Sequence, residues 1–160
     1  MIVAALVCLA ALTITTAPAS ATTLPPRGVL LHMINNVRAE HGLPPVSYSP
    51  RLRFAALWHS QDMLNRQYFA HTSPAGSTLY GRVIRCGYYR IGSWTAGENL
   101  AWGTGSYGTP AGVLRMWMNS PEHRAILLSR SFESVGISRV VGRFMGHSDA
   151  AVWTADFGHH

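Results

Sequence analysis

The period of the hydrophobic pattern changes along the chain, and this change restricts the possible folds more than any other sequence feature. Apolar residues recur at helical spacing in the earlier segments, whereas segment 135–141 alternates as a β-strand does and segment 150–157 is a second β-like segment. The turn-forming residues between these two segments, 142–149, predict an antiparallel hairpin. Several helices followed by a hairpin predict an α+β fold built in layers.

The segments before the hairpin show where the helices begin and end. Helices are predicted from Leu30 to about residue 40, from about Pro50 to residue 63, from Thr78 or Ser77 to residue 85, and from 110 to 118. A further short helix follows Ser120, which we expect to cap it. The second helix should be buried on both sides, because residues 54, 57 and 58 make its other face apolar as well. Residues 46–48 are a candidate edge strand.

Residues 1–21 have the pattern of a signal peptide that directs export. An apolar stretch leads to Ala19-Ser20-Ala21, the small-residue pattern that signal peptidase cuts. The stretch is shorter than the ~20 apolar residues of a membrane span, and no later segment reaches that length. We therefore predict a secreted protein with a linker at residues 22–29, one domain at residues 30–158 and no transmembrane span once the signal is removed. Because no basic residue follows Met1, an uncleaved anchor is the alternative.

The charge of the chain is strongly basic. It carries 13 arginines, no lysine and 7 acidic residues, for a net charge of +6. The arginines are scattered and belong to no recognisable nucleic-acid motif, so specific nucleic-acid binding is not expected. A solvated basic surface explains this pattern, and loose attraction to anionic envelope polymers or lipid head groups is the functional alternative.

Two further motifs are interpreted as structural. Cys86 is the only cysteine after the signal segment, so an internal disulfide is impossible. We expect a buried, inert thiol at the end of the third helix, with a catalytic thiol as the alternative. Residues 103–108 match G-x-G-x-x-G, but a dinucleotide site needs a preceding strand within a βαβ unit. We expect no central strand at residues 97–102, and a flexible loop at 103–108.

A dispersed set of polar residues lies near the apolar segments. Its members are His59, Asp62, His71, Glu98, His123 and Asp156. We place Glu98 in a Gly-Glu-Asn turn and expect the fold to bring it to His71 and His123. Two imidazoles and a carboxylate in one cleft suit Zn²⁺ with an open position for water, although hydrogen-bonded structural residues are the alternative. His59 and Asp62 lie three residues apart on one helix, so they can pair and support the site.

Six segments in a shared order resemble the CAP superfamily of cysteine-rich secretory, antigen-five and pathogenesis-related domains, in its short bacterial form. The likeness spans about Leu30 to Gly158. The segments are Asn35-Asn36-Val37-Arg38 with Gly42-Leu43-Pro44, then 55–63, 68–73, 97–101, 117–124 and 153–158. The resemblance implies an α-β-α sandwich with a central antiparallel sheet and a broad cleft.

The resemblance also implies which residues line that cleft. Eukaryotic members hold two histidines and two glutamates there, and some bind Zn²⁺ through the histidines. His71 matches the first histidine and Glu98 one glutamate, whereas Ser120 and Val152 occupy the places of the other two residues. His123 lies in a Ser-Pro-x-His-Arg stretch that is typical of bacterial members, and it is the candidate for the missing imidazole.

These observations predict a secreted monomer that binds a ligand and catalyses no reaction. The expected ligand is a divalent metal such as zinc, or a lipid or other cell-envelope molecule, since family members bind sterols and lipids. One alternative is a metal-assisted extracellular hydrolase with Glu98 as general base. The other is an arginine-rich surface module that engages the cell wall or a host protein.

Overall fold

The computed structural model describes residues 24–88 and 92–159, so the predicted signal peptide and its alternative as an anchor lie outside the described residues. The helices are α1 (Pro26–Glu40), α2 (Pro50–Arg66), α3 (Leu79–Arg85), α4 (Pro110–Asn119) and α5 (Pro121–Leu127). The strands are β1 (Ser47–Tyr48), β2 (Thr95–Gly103), β3 (Ser134–Phe144) and β4 (His147–His159). In the described part of the chain, no helix combines the length and the apolar character that crossing a bilayer requires.

The four strands form one sheet in the order β1-β3-β4-β2. β3 and β4 form the predicted antiparallel hairpin, and β2 pairs antiparallel with β4 over its whole length. β1 is the predicted short edge strand, and it runs parallel to β3. Met145 and Gly146 form the hairpin turn and both have positive φ, so the turn is tighter than the 142–149 segment predicted for it.

Alternate residues of β4 face two different layers of helices, because successive side chains of a strand point to opposite sides of a sheet. Trp153 and Phe157 lie in a buried cluster with Leu30 of α1. Val152 instead packs with Met63 of α2 on the other side. The sheet therefore lies between two helical layers, which confirms the predicted α+β class and the α-β-α sandwich.

The start of α2 is fixed against the sheet by a close backbone contact. Ser49 caps the helix by accepting a hydrogen bond from the backbone N–H of Leu52. Directly beyond it, the backbone of Leu52 and Arg53 lies so close to Gly136 of β3 that a Cβ at Gly136 would overlap both residues. This contact sets the position of α2, which carries two of the predicted site residues.

Several details differ from the sequence predictions. The outer face of α2 is exposed, with Phe54 at 57% and Trp58 at 46% exposure, because only one side of the helix packs on the sheet. Residues 97–102 belong to β2, so Glu98 lies in an edge strand rather than in a turn. The glycine segment contains a 3₁₀-helix, Gly105–Gly108, rather than an irregular loop. α1 begins at Pro26, inside the segment expected to be linker.

Candidate functional site

The structure brings His71 and Glu98 together. Glu98 projects from β2 with its carboxylate almost fully buried, and His71 lies in the loop between α2 and α3. The His71 Nδ1 atom is 2.8 Å from Oε1 of Glu98. The second carboxylate oxygen, Oε2, accepts a hydrogen bond from Nη2 of Arg82 in α3 at 2.5 Å. Both oxygens of Glu98 are thus engaged by cationic or polar partners.

Arg82 is the site residue that the sequence analysis missed. Its side chain is 3% exposed, and its Nη1 atom donates to the carbonyl oxygens of His71 and Ser77 at 3.1 and 3.0 Å. Among the described residues, its Nε–H has no hydrogen-bond partner. The sequence feature that could have identified Arg82 is its spacing of three residues from Leu79, which places both residues on the inward face of α3.

His59 and Asp62 lie beside this cluster but do not pair with each other directly. Nε2 of His59 donates to the carbonyl oxygen of Ala70 at 2.9 Å and lies 3.9 Å from Oε1 of Glu98. Burial lowers the pKa of His59, and the charge of Arg82 adds to this effect. Asp62 accepts a hydrogen bond from the Tyr68 hydroxyl, which also lies 3.5 Å from Nδ1 of His59. Tyr68 therefore connects the two predicted residues.

His123 does not join the His71–Glu98 pair. Its Nδ1 atom is 2.8 Å from Oγ of Ser120, and its backbone carbonyl accepts a hydrogen bond from the Asn99 side chain. Asn99 follows Glu98 along β2, so their side chains point to opposite faces of the sheet. Among the described residues, no hydrogen bond or ion pair links His123 to Glu98 or His71. Ser120 precedes α5 as predicted, but its side chain contacts His123 and makes no capping hydrogen bond.

The side chains of Glu98 and Asp156 form a buried carboxyl pair. The two residues are directly opposite in the β2–β4 ladder. Burial, followed by the charge of Glu98, raises the pKa of Asp156 well above its ordinary value. Burial also tends to raise the pKa of Glu98, but His71, Arg82 and His59 outweigh it and hold that pKa below its ordinary value. The two carboxyl groups therefore have opposite tendencies, with Asp156 favouring its neutral form and Glu98 its ionised form.

His71 and His123 respond differently to the charges around them. The hydrogen bond to Glu98 raises the pKa of His71, against the smaller opposing effects of burial and Arg82. Burial lowers the pKa of His123, and the charge of His71 lowers it further. His71 is thus the histidine of this region that is more readily protonated, whereas His123 favours the neutral form.

The residues present do not fit a zinc centre of the expected kind. Glu98 already accepts hydrogen bonds from His71 and Arg82, and the guanidinium beside it repels a further cation. His123 is turned toward Ser120. In residues 24–88 and 92–159, no group of three or more His, Cys, Asp or Glu side chains is arranged to hold a metal ion. Zinc binding therefore stays a prediction without a ligand set to support it.

A small cavity lies beside the cluster, between α2, α3 and the loop that joins them. Its volume is about 130 Å³. We name it the arginine cavity after three of its lining residues. Its walls include Arg66, Arg82, Arg85, Asp62, Trp58 and Ser73. Arg82 pairs with Glu98, and Nη1 of Arg66 lies 3.6 Å from Oδ1 of Asp62, so three guanidiniums are balanced by two carboxylates. The surroundings of the cavity therefore keep a net positive charge, which favours an anionic or strongly hydrogen-bond-accepting guest.

Cys86 follows the last residue of α3, at the helix end where the sequence predicted it. Its thiol is free, and the residue is partly buried. Burial raises its pKa, and the charge of Asp156 adds to this effect. A raised pKa reduces the thiolate fraction, which supports the inert interpretation over a catalytic thiol.

A sheet sandwiched between helices, with the segments that resemble the family meeting at a buried Glu–Arg–His cluster, defines a CAP-type domain. The sequence model of the family described as "Cysteine-rich secretory protein family" (CAP) matches residues 31–157, and the chain belongs to this family. The uncharacterized protein YkwD of Bacillus subtilis (strain 168) is 32% identical over 145 residues, which are 91% of this chain and 51% of YkwD. The chain thus spans about half the length of that relative.

Solved structures support the same fold. An extracellular protein of Bacillus anthracis str. Ames that contains an SCP domain superposes with a TM-score of 0.68 at 28% identity, over 82% of this chain and 39% of that chain. An outer surface protein of Borrelia burgdorferi has a TM-score of 0.69 at 21% identity, over 83% of this chain and 91% of its own, and it supports the fold alone. The bacterial CAP resemblance seen in the sequence is confirmed.

Proposed function

We propose that this domain is an extracellular binding protein that holds a small anionic molecule of the cell envelope in the arginine cavity and catalyses no reaction. The extracellular location is supported by the bacterial SCP-domain neighbour described as extracellular. The ligand chemistry is supported by the composition of the cavity, and above all by Arg82.

The unpartnered Nε–H of Arg82 is the observation that carries this proposal. Arg82 lines the cavity and is 3% exposed. Its two terminal nitrogens already donate hydrogen bonds, Nη2 to Glu98 and Nη1 to two backbone carbonyls. Within the described residues, the Nε–H has no acceptor. A buried donor without a partner costs about 1–3 kcal/mol, and because the Nε atom itself has almost no accessible surface, a small shift of the Arg82 side chain toward the cavity is needed for a ligand acceptor to recover this energy.

The geometry also favours binding over general-base catalysis by Glu98. A general base needs a free lone pair within hydrogen-bond reach of the proton that it removes. The Glu98 carboxylate keeps free lone pairs, but it is 2% exposed, each oxygen already accepts a hydrogen bond, and its pKa lies below the ordinary range. These features disfavour the hydrolase alternative in which Glu98 activates a water molecule.

Isothermal titration calorimetry with citrate and with inorganic phosphate tests the proposal. Arg66 and Arg85 are exposed at the rim, so Arg66→Gln and Arg85→Gln should leave the fold intact. A charge-assisted hydrogen bond contributes about 1.5–3 kcal/mol, so each variant should weaken anion binding by roughly tenfold or more. The matched control is Arg115→Gln, an exposed arginine of α4 that does not line the cavity. Absence of binding, or equal weakening in the control, would overturn the proposal.

The zinc and lipid expectations can be tested on the same preparation. Protein purified without chelator is analysed for bound metal and, by mass spectrometry, for co-purified lipid. Stoichiometric zinc that is lost in His71→Ala would show a metal site at His71 and contradict the cavity as the functional centre. Stoichiometric lipid would do the same, because the arginine cavity is too small and too polar for an acyl chain.

A further inference from the structure

An exposed aromatic edge adjoins the arginine cavity. Trp58 lines the cavity and is 46% exposed. The guanidinium of Arg85 lies 4.7 Å from the centroid of its ring. One helical turn earlier, Phe54 is 57% exposed on the same face of α2. We name Phe54 and Trp58 the aromatic strip.

The cavity is buried and polar at its floor, and it becomes exposed and apolar at this strip. Arg82 and Ser73 are 3% and 6% exposed, whereas Trp58 stands at the rim with nearly half of its surface in solvent. Single exposed aromatic residues are common and need no explanation. A tryptophan that forms the wall of a cationic cavity and carries a guanidinium over its ring is a more specific arrangement, because it offers an apolar ring and positive charge side by side.

The volume of the cavity limits how much of a ligand it can hold. Its 130 Å³ is well below the ~300–1,000 Å³ of pockets that enclose a drug-sized ligand. This space suits one carboxylate or phosphate group but not an extended molecule. The remainder of a larger ligand must lie outside the cavity, where the half-exposed ring of Trp58 is an apolar surface within its reach.

We infer that the arginine cavity and the aromatic strip form one continuous site for an acidic saccharide chain. An acidic group of the chain occupies the cavity, and the adjacent sugar ring stacks on Trp58. Sugars present an apolar C–H face to an aromatic ring, while their hydroxyl groups can bond to the arginines at the rim. The negative charge of the saccharide complements the exposed guanidiniums of Arg66 and Arg85. This inference rests on the proposed function and specifies its ligand.

The aromatic contact is tested by calorimetric titration with trigalacturonic acid, a carboxylated trisaccharide. We expect Trp58→Ala to weaken trisaccharide binding by about tenfold more than it weakens citrate binding, a difference equivalent to ~1.4 kcal/mol. Trp58→Phe should restore most of the affinity, because it retains an aromatic face. Tyr107→Ala is the matched control, since Tyr107 is 58% exposed and does not line this cavity. Glucose 1-phosphate tests whether a phosphate replaces the carboxylate.

The possible outcomes separate this inference from the proposed function. If Trp58→Ala has no effect on the trisaccharide while Arg66→Gln and Arg85→Gln weaken it, the aromatic contact is wrong and the anion site stands. If neutral maltotriose binds as tightly as the acidic trisaccharide, the acidic group is not recognised and the inference is overturned. If neither citrate nor trigalacturonic acid binds, the proposed function itself fails.

Discussion

Replacement of Arg82 by glutamine should destabilise the domain strongly, and by an amount that depends on pH. The Glu98 carboxylate is 2% exposed and Arg82 is its buried cationic partner. Removal of one partner from a buried ion pair typically costs about 3–5 kcal/mol, because the other charge stays buried without compensation. The substitution also removes the hydrogen bonds that Arg82 donates to the carbonyls of His71 and Ser77.

In the variant, Glu98 can take up a proton instead of keeping an unpaired charge. The cost of protonating Glu98 is therefore the largest loss of unfolding free energy that the unpaired charge can cause. An ordinary glutamate has a pKa of about 4.3, so protonating it at pH 7 costs about 4 kcal/mol, at ~1.36 kcal/mol per pKa unit. At pH 5 the same protonation costs only about 1 kcal/mol. In the variant, the folded-state pKa of Glu98 should rise above its unfolded value. Stability should then be recovered as the pH falls toward 4.3 and lost as the pH rises.

Urea denaturation followed by tryptophan fluorescence at pH 5 and pH 7 measures both quantities. We expect Arg82→Gln to lose about 3–4 kcal/mol at pH 7 and clearly less at pH 5, with Arg115→Gln unchanged. In a Glu98→Gln background the same substitution should cost much less, because no carboxylate is stranded. A loss below about 1 kcal/mol at pH 7, the size expected of a surface pair, would refute this reasoning.

Three further predictions concern the sheet and its titratable groups. Gly136→Ala should lower the free energy of unfolding measured in urea by about 1–3 kcal/mol or more, because the new Cβ would overlap the backbone of α2. Gly142→Ala is the control and should lower it less, because a Cβ there meets only a leucine side chain. By NMR titration, the pKa of His71 should lie above its ordinary value of about 6.5, and Glu98→Gln should lower that pKa. His71 should therefore stabilise the domain fully below pH ~6.5, and this contribution should disappear as the pH rises through the folded-state pKa. Asp156→Asn should stabilise the domain at pH 7, and the gain should shrink as the pH falls toward the unfolded-state pKa of about 3.9, because a raised folded-state pKa makes this carboxyl cost folding free energy at higher pH; a loss of several kcal/mol at pH 7 would contradict the raised pKa.

The sequence predicted those elements whose signals are local. Ser49 and Thr78 cap α2 and α3, as expected of these residues before a helical pattern. The hairpin followed from one alternating and one β-like segment joined by a turn, and side chains of β4 pack into both helical layers. These features depend on near neighbours along the chain, so pattern and capping rules were sufficient to find them.

The sequence could not predict features that depend on which faces meet in the fold. β2 was missed because Thr95–Gly103 is an edge strand of small and polar residues without a strong alternation. The exposure of Phe54 and Trp58 depends on the absence of a further layer outside α2 in the described part of the chain, which no local pattern records. Arg82 gained its role from Glu98, a residue 16 positions away in another element.

The candidate site shows the same division. The family pattern placed His71 and Glu98 together, and the structure has them in contact. His123 was expected at the same point; among the described residues its imidazole makes a hydrogen bond to Ser120 and none to Glu98 or His71, while the charge of His71 still lowers its pKa. Sequence spacing contains no information about which contacts each imidazole makes in the fold.

The most direct test of the central claim follows the Nε–H group of Arg82 by ¹⁵N-edited NMR while citrate is added. If the cavity binds an anion at this donor, the Arg82 signal should shift with a saturable dependence on citrate concentration, and Arg66→Gln should move the midpoint to higher concentration. An Arg82 signal that stays unchanged while citrate binds elsewhere, or that shifts linearly without saturation, would contradict the account.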